Sequence, residues 1–134
     1  MKNLEYIPGD LVKFATNTYT IVNFEENFLH NKICYALIST NSTKTAFVAD
    51  RDILPIPLTP EILEKNGWRT QNRWYYYLDV AEGFISYIGI DFKHKSNKGH
   101  LYVEVDGNNM VEIQYCHELQ HFLFGLGLKQ EMEV

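Results

Sequence analysis

The sequence predicts an α+β fold in two parts: a small β-barrel over residues 1–57 and, over 58–134, a helix, an antiparallel sheet and a closing helix. Three observations carry this reading. The first 55 residues hold short β-branched and aromatic runs, separated by Gly, Pro, Asn and Asp, which is the pattern of strands and turns. Pro55 and Pro57 then hold 53–58 extended, because proline fixes its own φ and biases the residue before it away from helix. Directly afterwards, Thr59-Pro60-Glu61 opens a helix with an N-cap hydroxyl, a proline at the first helical position and an acid against the helix dipole.

Taken in order, Pro8-Gly9-Asp10 turns the chain into a strand at 11–14, and 19–22 alternates towards Phe24 as a second strand. Further strands follow at 33–38 and 45–48. Asp50-Arg51-Asp52-Ile53-Leu54 supplies a short helical turn and a last strand, and this order resembles small barrels of the Src-homology-3 (SH3) type. In the second part, Ile62 and Leu63 continue the helix to a stop at Asn66-Gly67. Strands are expected at 74–78, 84–92 and 100–105, with Asp106-Gly107 turning the last into 110–113. The closing helix starts near Gln114 or Tyr115.

With 134 residues and 46% hydrophobic content the chain buries a sizeable core. Twelve Lys and Arg against 17 Asp and Glu give a net charge of −5, which disfavours sequence-independent nucleic-acid binding, since that affinity comes from neutralising phosphates. Cys34 and Cys116 are read as buried free thiols. No secretory apolar run opens the sequence, and no stretch reaches the roughly 20 apolar residues of a membrane span. The expectation is a cytoplasmic protein that does not enter a membrane.

His117-Glu118-Leu119-Gln120-His121 matches the H-E-x-x-H zinc pattern, in which two histidines one helical turn apart bind the metal and the glutamate takes a proton from its water. A catalytic zinc needs a third protein ligand. Where a close third ligand would follow, Phe124 and Gly127 stand instead, and Glu131 and Glu133 fall too soon after the helix to come from a second one. His94, His100 and Glu104 are upstream alternatives. The same segment carries an apolar stripe of Tyr115, Leu119, Phe122, Leu123 and Leu126 at helical spacing, which places His117, Gln120 and His121 on its flank. The expectation is therefore no catalytic role for Glu118, no metal at His117 and His121, and no cofactor.

The run Pro55-Ile56-Pro57-Leu58-Thr59-Pro60-Glu61-Ile62-Leu63-Glu64-Lys65-Asn66-Gly67-Trp68, the tyrosine-rich strand after it and the closing Tyr115-Cys116-His117-Glu118-Leu119-Gln120-His121 together resemble small uncharacterised proteins of Bacteroidetes and their mobile elements. The resemblance covers about half the chain. It implies valine before the first histidine and often glutamine at the position of Glu118, so a catalytic glutamate is not what such proteins preserve. It implies no activity.

Two further features are candidate binding elements. Lys93, Lys95 and Lys98 lie in the only basic run, read as a hairpin tip that more simply serves as a solvated loop guarding strand edges. Tyr75 and Tyr77 share one strand face, with Trp74 and Tyr76 on the other, so one pair is core and the other is free to form an interface. His30 is expected exposed in a polar loop. The resulting functional expectation is a non-enzymatic interaction module with an unidentified protein partner. A nucleic-acid accessory protein using the 93–100 hairpin and the sheet tyrosines is the alternative, and a zinc-dependent hydrolase comes third.

Overall fold

The structure, a computed structural model, describes residues 6–15, 17–27, 32–39 and 45–134, with the side chains of 24–27, 32–34, 81 and 82 excepted. His30, the loop at 41–43 and the Cys34 side chain lie outside this description. Among the described residues the chain is mostly β: two five-stranded antiparallel sheets and two short helices, an α+β composition. No helix among them is long and apolar enough to cross a membrane.

The chain divides into two compact units, one of Met1–Ile56 with Tyr115–Met132 and one of Pro57–Gln114 with Glu133–Val134. The closing helix thus belongs to the first unit, whereas the sequence pattern assigned it to the second half. Sequence adjacency to the last strand suggested that assignment. The partners that hold the helix stand 109 and 111 residues earlier, and no local pattern announces them.

In the first unit, β1 (Leu11–Phe14), β2 (Asn17–Asn27), β3 (Lys32–Ser39), β4 (Thr45–Ala49) and β5 (Ile53–Pro55) form a sheet in the order β4-β3-β2-β1-β5, with a 3-10 turn at Asp50–Asp52 before β5. Period-2 alternation turns Val12, Ile21, Tyr35, Leu37, Val48 and Ile53 inward around Tyr6. Phe14 and Tyr19 pack against that cluster, their rings 6.0 Å apart. Ile7-Pro8-Gly9-Asp10 closes as a turn with the Asp10 N–H donating to the Ile7 carbonyl at 3.1 Å. Gly9 takes φ +97° there, the left-handed value that the third position of a type II turn demands after proline.

The helix α2 (Cys116–Gly125) buries Cys116, His117, Leu119, Gln120 and Leu123. Its inward face is therefore turned from the expected stripe: Phe122 and Leu126 are half-buried, while His117 and Gln120, expected on the flank, are inside. Gln120 is tolerated inside because both ends of its amide find hydrogen-bond partners. Cys116 is buried, and burial pushes its thiol pKa up to about 12.

In the second unit, α1 (Pro60–Lys65) is capped as the sequence dictates, the Thr59 hydroxyl accepting from the Ile62 N–H at 3.3 Å. A meander follows: β6 (Arg69–Thr70), β7 (Tyr75–Glu82), β8 (Ile85–Asp91), β9 (Leu101–Val105) and β10 (Asn108–Ile113), neighbours in the order β10-β9-β8-β7-β6. One face buries Tyr76, Ile88, Ile90, Val103 and Ile113. The Tyr76 ring meets Phe92 edge-on at 5.6 Å, and its hydroxyl donates to Glu64 Oε1 at 2.9 Å. Trp74 stands just before β7 rather than within it, because Asn72 Oδ1 accepts from the Trp74 and Tyr75 N–H groups and bends the chain there.

Leu119 is fully buried and Phe124, five residues on along the same helix, is 59% exposed. Leu119→Ala is expected to lower the unfolding free energy by about 2–5 kcal/mol through lost burial and the cavity left behind. Phe124→Ala should stay within about 0.5 kcal/mol. Urea unfolding of the two variants checks this, and equal effects would contradict the orientation of α2.

Candidate functional site

Two groups of residues hold the chemistry-bearing side chains, one in each unit. In the first unit, α2 meets the Ile7–Asp10 turn. Gln120 is fully buried and fully used: its Oε1 accepts from the Leu11 N–H at 2.9 Å, and its Nε2 donates to the carbonyls of Gly9 at 3.0 Å and Gln130 at 3.1 Å. Beside it, His121 Nε2 lies 2.6 Å from Oδ2 of the buried Asp10, which also accepts from the Ile7 N–H. Burial raises the Asp10 pKa, and the Ile7 N–H and His121 offset part of that rise. Asp10 Oδ1 is buried with no hydrogen-bond partner among the described residues, so His121 and the turn carry the stabilisation of this carboxyl.

His117 is 3% exposed, its ring edge-on to Tyr6 at 4.9 Å and stacked on Tyr115 at 5.9 Å. Burial lowers its pKa to about 4, so the imidazole is neutral at pH 7. The rings of His117 and His121 are 5.6 Å apart, as one helical turn dictates. Glu118 serves the helix start: its carboxylate accepts from the Tyr115 N–H at 2.9 Å, in the manner of a capping-box glutamate. The two groups a hydrolase would need at its metal, the outer nitrogen of His121 and the Glu118 carboxylate, each make a bond that holds the fold. Among the described residues, no group of three or more His, Cys, Asp or Glu is placed to hold a metal ion. Of the upstream alternatives, His94 pairs with Asp91 at 3.0 Å and His100 stands 3.7 Å from Glu112.

In the second unit the sheet has an open face. Register pairs Tyr75 with Asp91, Tyr77 with Gly89 and Asp79 with Tyr87, and continues from Gly89 to Glu104 and from Asp91 to Tyr102. Paired residues share a face, so Tyr75, Tyr77, Tyr87 and Tyr102 stand together with Asp79, Asp91 and Glu104. A groove of about 340 Å³ on this face is lined by Gln71, Asn72, Tyr75, Tyr77, Asp79 and Tyr87.

Its floor depends on a missing side chain. A Cβ at Gly89 would stand 1.9 Å from the Tyr75 hydroxyl oxygen and 2.5 Å from the ring carbon bearing it, so Tyr75 lies flat across β8 only because residue 89 is glycine. Burial and hydrogen bonding to Glu104 and Tyr87 push the Tyr75 phenol above its ordinary pKa. One wall is equally fixed: Thr70 Oγ1 accepts from the Arg73 N–H at 2.9 Å and donates to the Tyr75 carbonyl, and Asn72 is held by its own Oδ1 bonds.

The candidate residues of the basic run are not part of this lining. Lys93 places its Nζ over the Trp74 ring at 5.3 Å from the centroid, while Lys95 and Lys98 are exposed in a turn organised by Ser96, whose hydroxyl accepts from the His100 N–H. Tyr75 and Tyr77 are brought together. Tyr87, Asp79 and the Gly89 gap complete the groove, and strand pairing is the only signal that links them to the two tyrosines. Set against known protein families, curated proteins and solved structures, the chain has no significant match in any of the three.

Two outcomes follow for α2. Because the folded pKa of His117 lies below its unfolded value, its contribution to stability is present above pH ~6.5 and is lost as pH falls through about 4. Melting curves should show an acid-side decline over that window that His117→Phe flattens; an unchanged decline would assign it to other groups. Glu118→Gln keeps a capping acceptor and loses only the charge at the helix start, so a cost of about 0.3–1 kcal/mol is expected. A larger loss in denaturant titration would mean that Glu118 does more than cap.

Proposed function

We propose that the chain is a non-enzymatic interaction module that binds a partner protein on the open tyrosine face of its second unit. The groove floored by Tyr75 carries this reading. Aromatic rings with polar tips supply large contact area at small entropic cost, which is why they concentrate at protein interfaces. Here four of them, each half-buried, stand on one sheet face opposite a fully formed core. The groove is preformed by hydrogen bonds within the unit, so little ordering is required on association.

In this reading the first unit is a scaffold, a small barrel of SH3 type. The strand order β4-β3-β2-β1-β5 and the 3-10 turn before β5 support that assignment. We place the module in the cytoplasm, in the mobile-element setting that the sequence resemblance implies. Zinc hydrolysis stands behind because the Glu118 and His121 groups it would use are engaged in the helix start and with Asp10. Nucleic-acid binding stands behind because the groove lining offers a carboxylate and no cation, and the net charge is −5.

A photoreactive benzoylphenylalanine in place of Tyr77, with Lys129 as the control position, tests the reading in cells that make the native chain. A discrete protein adduct from position 77 and none from 129 is the expected result. Adducts to nucleic acid, or equal labelling from both positions, would defeat it.

A further inference from the structure

We propose that the groove between the β6–β7 loop and Tyr87 receives an arginine side chain of the partner, its guanidinium laid against the tyrosine rings and paired with Asp79. This rests on the protein-binding reading and names the chemistry of its contact.

The lining fixes the sign of the ligand. Gln71, Asn72, Tyr75, Tyr77, Asp79 and Tyr87 comprise three phenol rings, two amides and one carboxylate. The face around them adds Asp91 and Glu104, with Glu112 opposite Tyr102, against Arg69 as the cation in register with Tyr77. An anionic ligand would meet this field unfavourably, and a purely apolar one would cover the Asp79 carboxylate with only its long contact to Arg69 in compensation. A cation satisfies both.

Shape then selects among cations. A guanidinium is planar, stacks on aromatic faces, and presents a fork of donors that matches a carboxylate and amide oxygens together; an ammonium is a compact, strongly hydrated point charge that does neither. The groove supplies flat surfaces rather than an enclosed cage. Tyr75 is laid down over Gly89 and held there.

The chain already sets a guanidinium against this carboxylate. Arg69 Nη1 stands 3.5 Å from Asp79 Oδ2, with the two side chains 70% and 60% exposed. At that distance and exposure the contact is weak, so Asp79 remains available at the rim to a second guanidinium that also gains ring contact.

The test uses the full chain and fluorescein-labelled peptides identical except for three central residues, which are arginine, lysine, citrulline or glutamate, with free arginine as a competitor. Fluorescence anisotropy should give tightest binding to the arginine peptide, with about a tenfold loss for citrulline, which keeps the planar shape and removes the charge. Lysine should fall between them, and free arginine should compete only at far higher concentration than the arginine peptide. Asp79→Asn should lower arginine-peptide affinity by about tenfold, and Gly89→Ala should lower it similarly by lifting the Tyr75 ring.

Spectrophotometric titration reads the Gly89→Ala step independently: the parent protein should hold Tyr75 and the core Tyr76 protonated above the ordinary phenol range near pH ~10, and the variant should hold one fewer. Melting curves verify that both variants fold. Equal binding of arginine and citrulline peptides, arginine binding insensitive to both substitutions, or no peptide binding at all would each overturn the arginine assignment. The cross-link from position 77 reports separately on whether the face binds protein, so the two failures are distinguishable.

Discussion

The Gln120 amide is the constraint on which the first unit depends. It has no exposed surface, and its three hydrogen bonds reach the backbone on both sides of Asp10 and the carbonyl of Gln130 in the segment after the helix. A buried amide without partners is costly, so the helix has one position in which Gln120 is satisfied. That position also puts His121 against Asp10 and His117 between the rings of Tyr6 and Tyr115. The arrangement that gives the segment its catalytic look is thus the consequence of docking a helix onto a turn. A type II turn needs little from side chains, which leaves its amide and carbonyl groups open to an outside partner. Gln120 is that partner.

The second unit follows from strand alternation. Every other residue of β7 to β9 fills the core, and the residues between them accumulate on the other face as tyrosines and acids. A glycine in a central strand ordinarily weakens it. At residue 89 the space it leaves is filled by the Tyr75 ring, so the lost local packing returns as a rigid aromatic surface. The aromatic, acidic face is the by-product of how the sheet keeps its two faces apart.

Much of this was legible in the sequence where the cause is local. The caps of α1 are written in Thr59, Pro60 and Asn66, and the strands of the second unit in their alternation. That Tyr75 and Tyr77 share a face needs only the period of a strand. The two-residue β6 and the irregular pairing between Asn109 and Val111 were not legible, since neither leaves a periodic trace. Trp74 was misplaced because an Asn72 side chain, not a propensity, ends the strand. The buried side of α2 was misjudged for a related reason. Hydrophobic periodicity ranks Gln120 and His117 as surface residues, and partners more than a hundred positions away, Gly9 and Leu11 for Gln120 and Tyr6 for His117, reverse that ranking. The same remoteness hid the contribution of Tyr87 and Gly89 to the groove.

The first unit is written in two pieces, with 58 residues of the second unit between Ile56 and Tyr115. Closing a flexible loop of that size against chain entropy costs on the order of 4 kcal/mol. The second unit removes most of that cost by its own folding, because its ends are bonded to each other: the Leu58 N–H donates to the Gln114 carbonyl at 3.1 Å. Two residues beyond, the Cys116 N–H reaches the Ile56 carbonyl at 2.8 Å, and α2 begins there. The inserted unit therefore acts on its host as a preformed clasp. Once it has folded, the helix is delivered to the sheet of the first unit as if it followed the last strand directly.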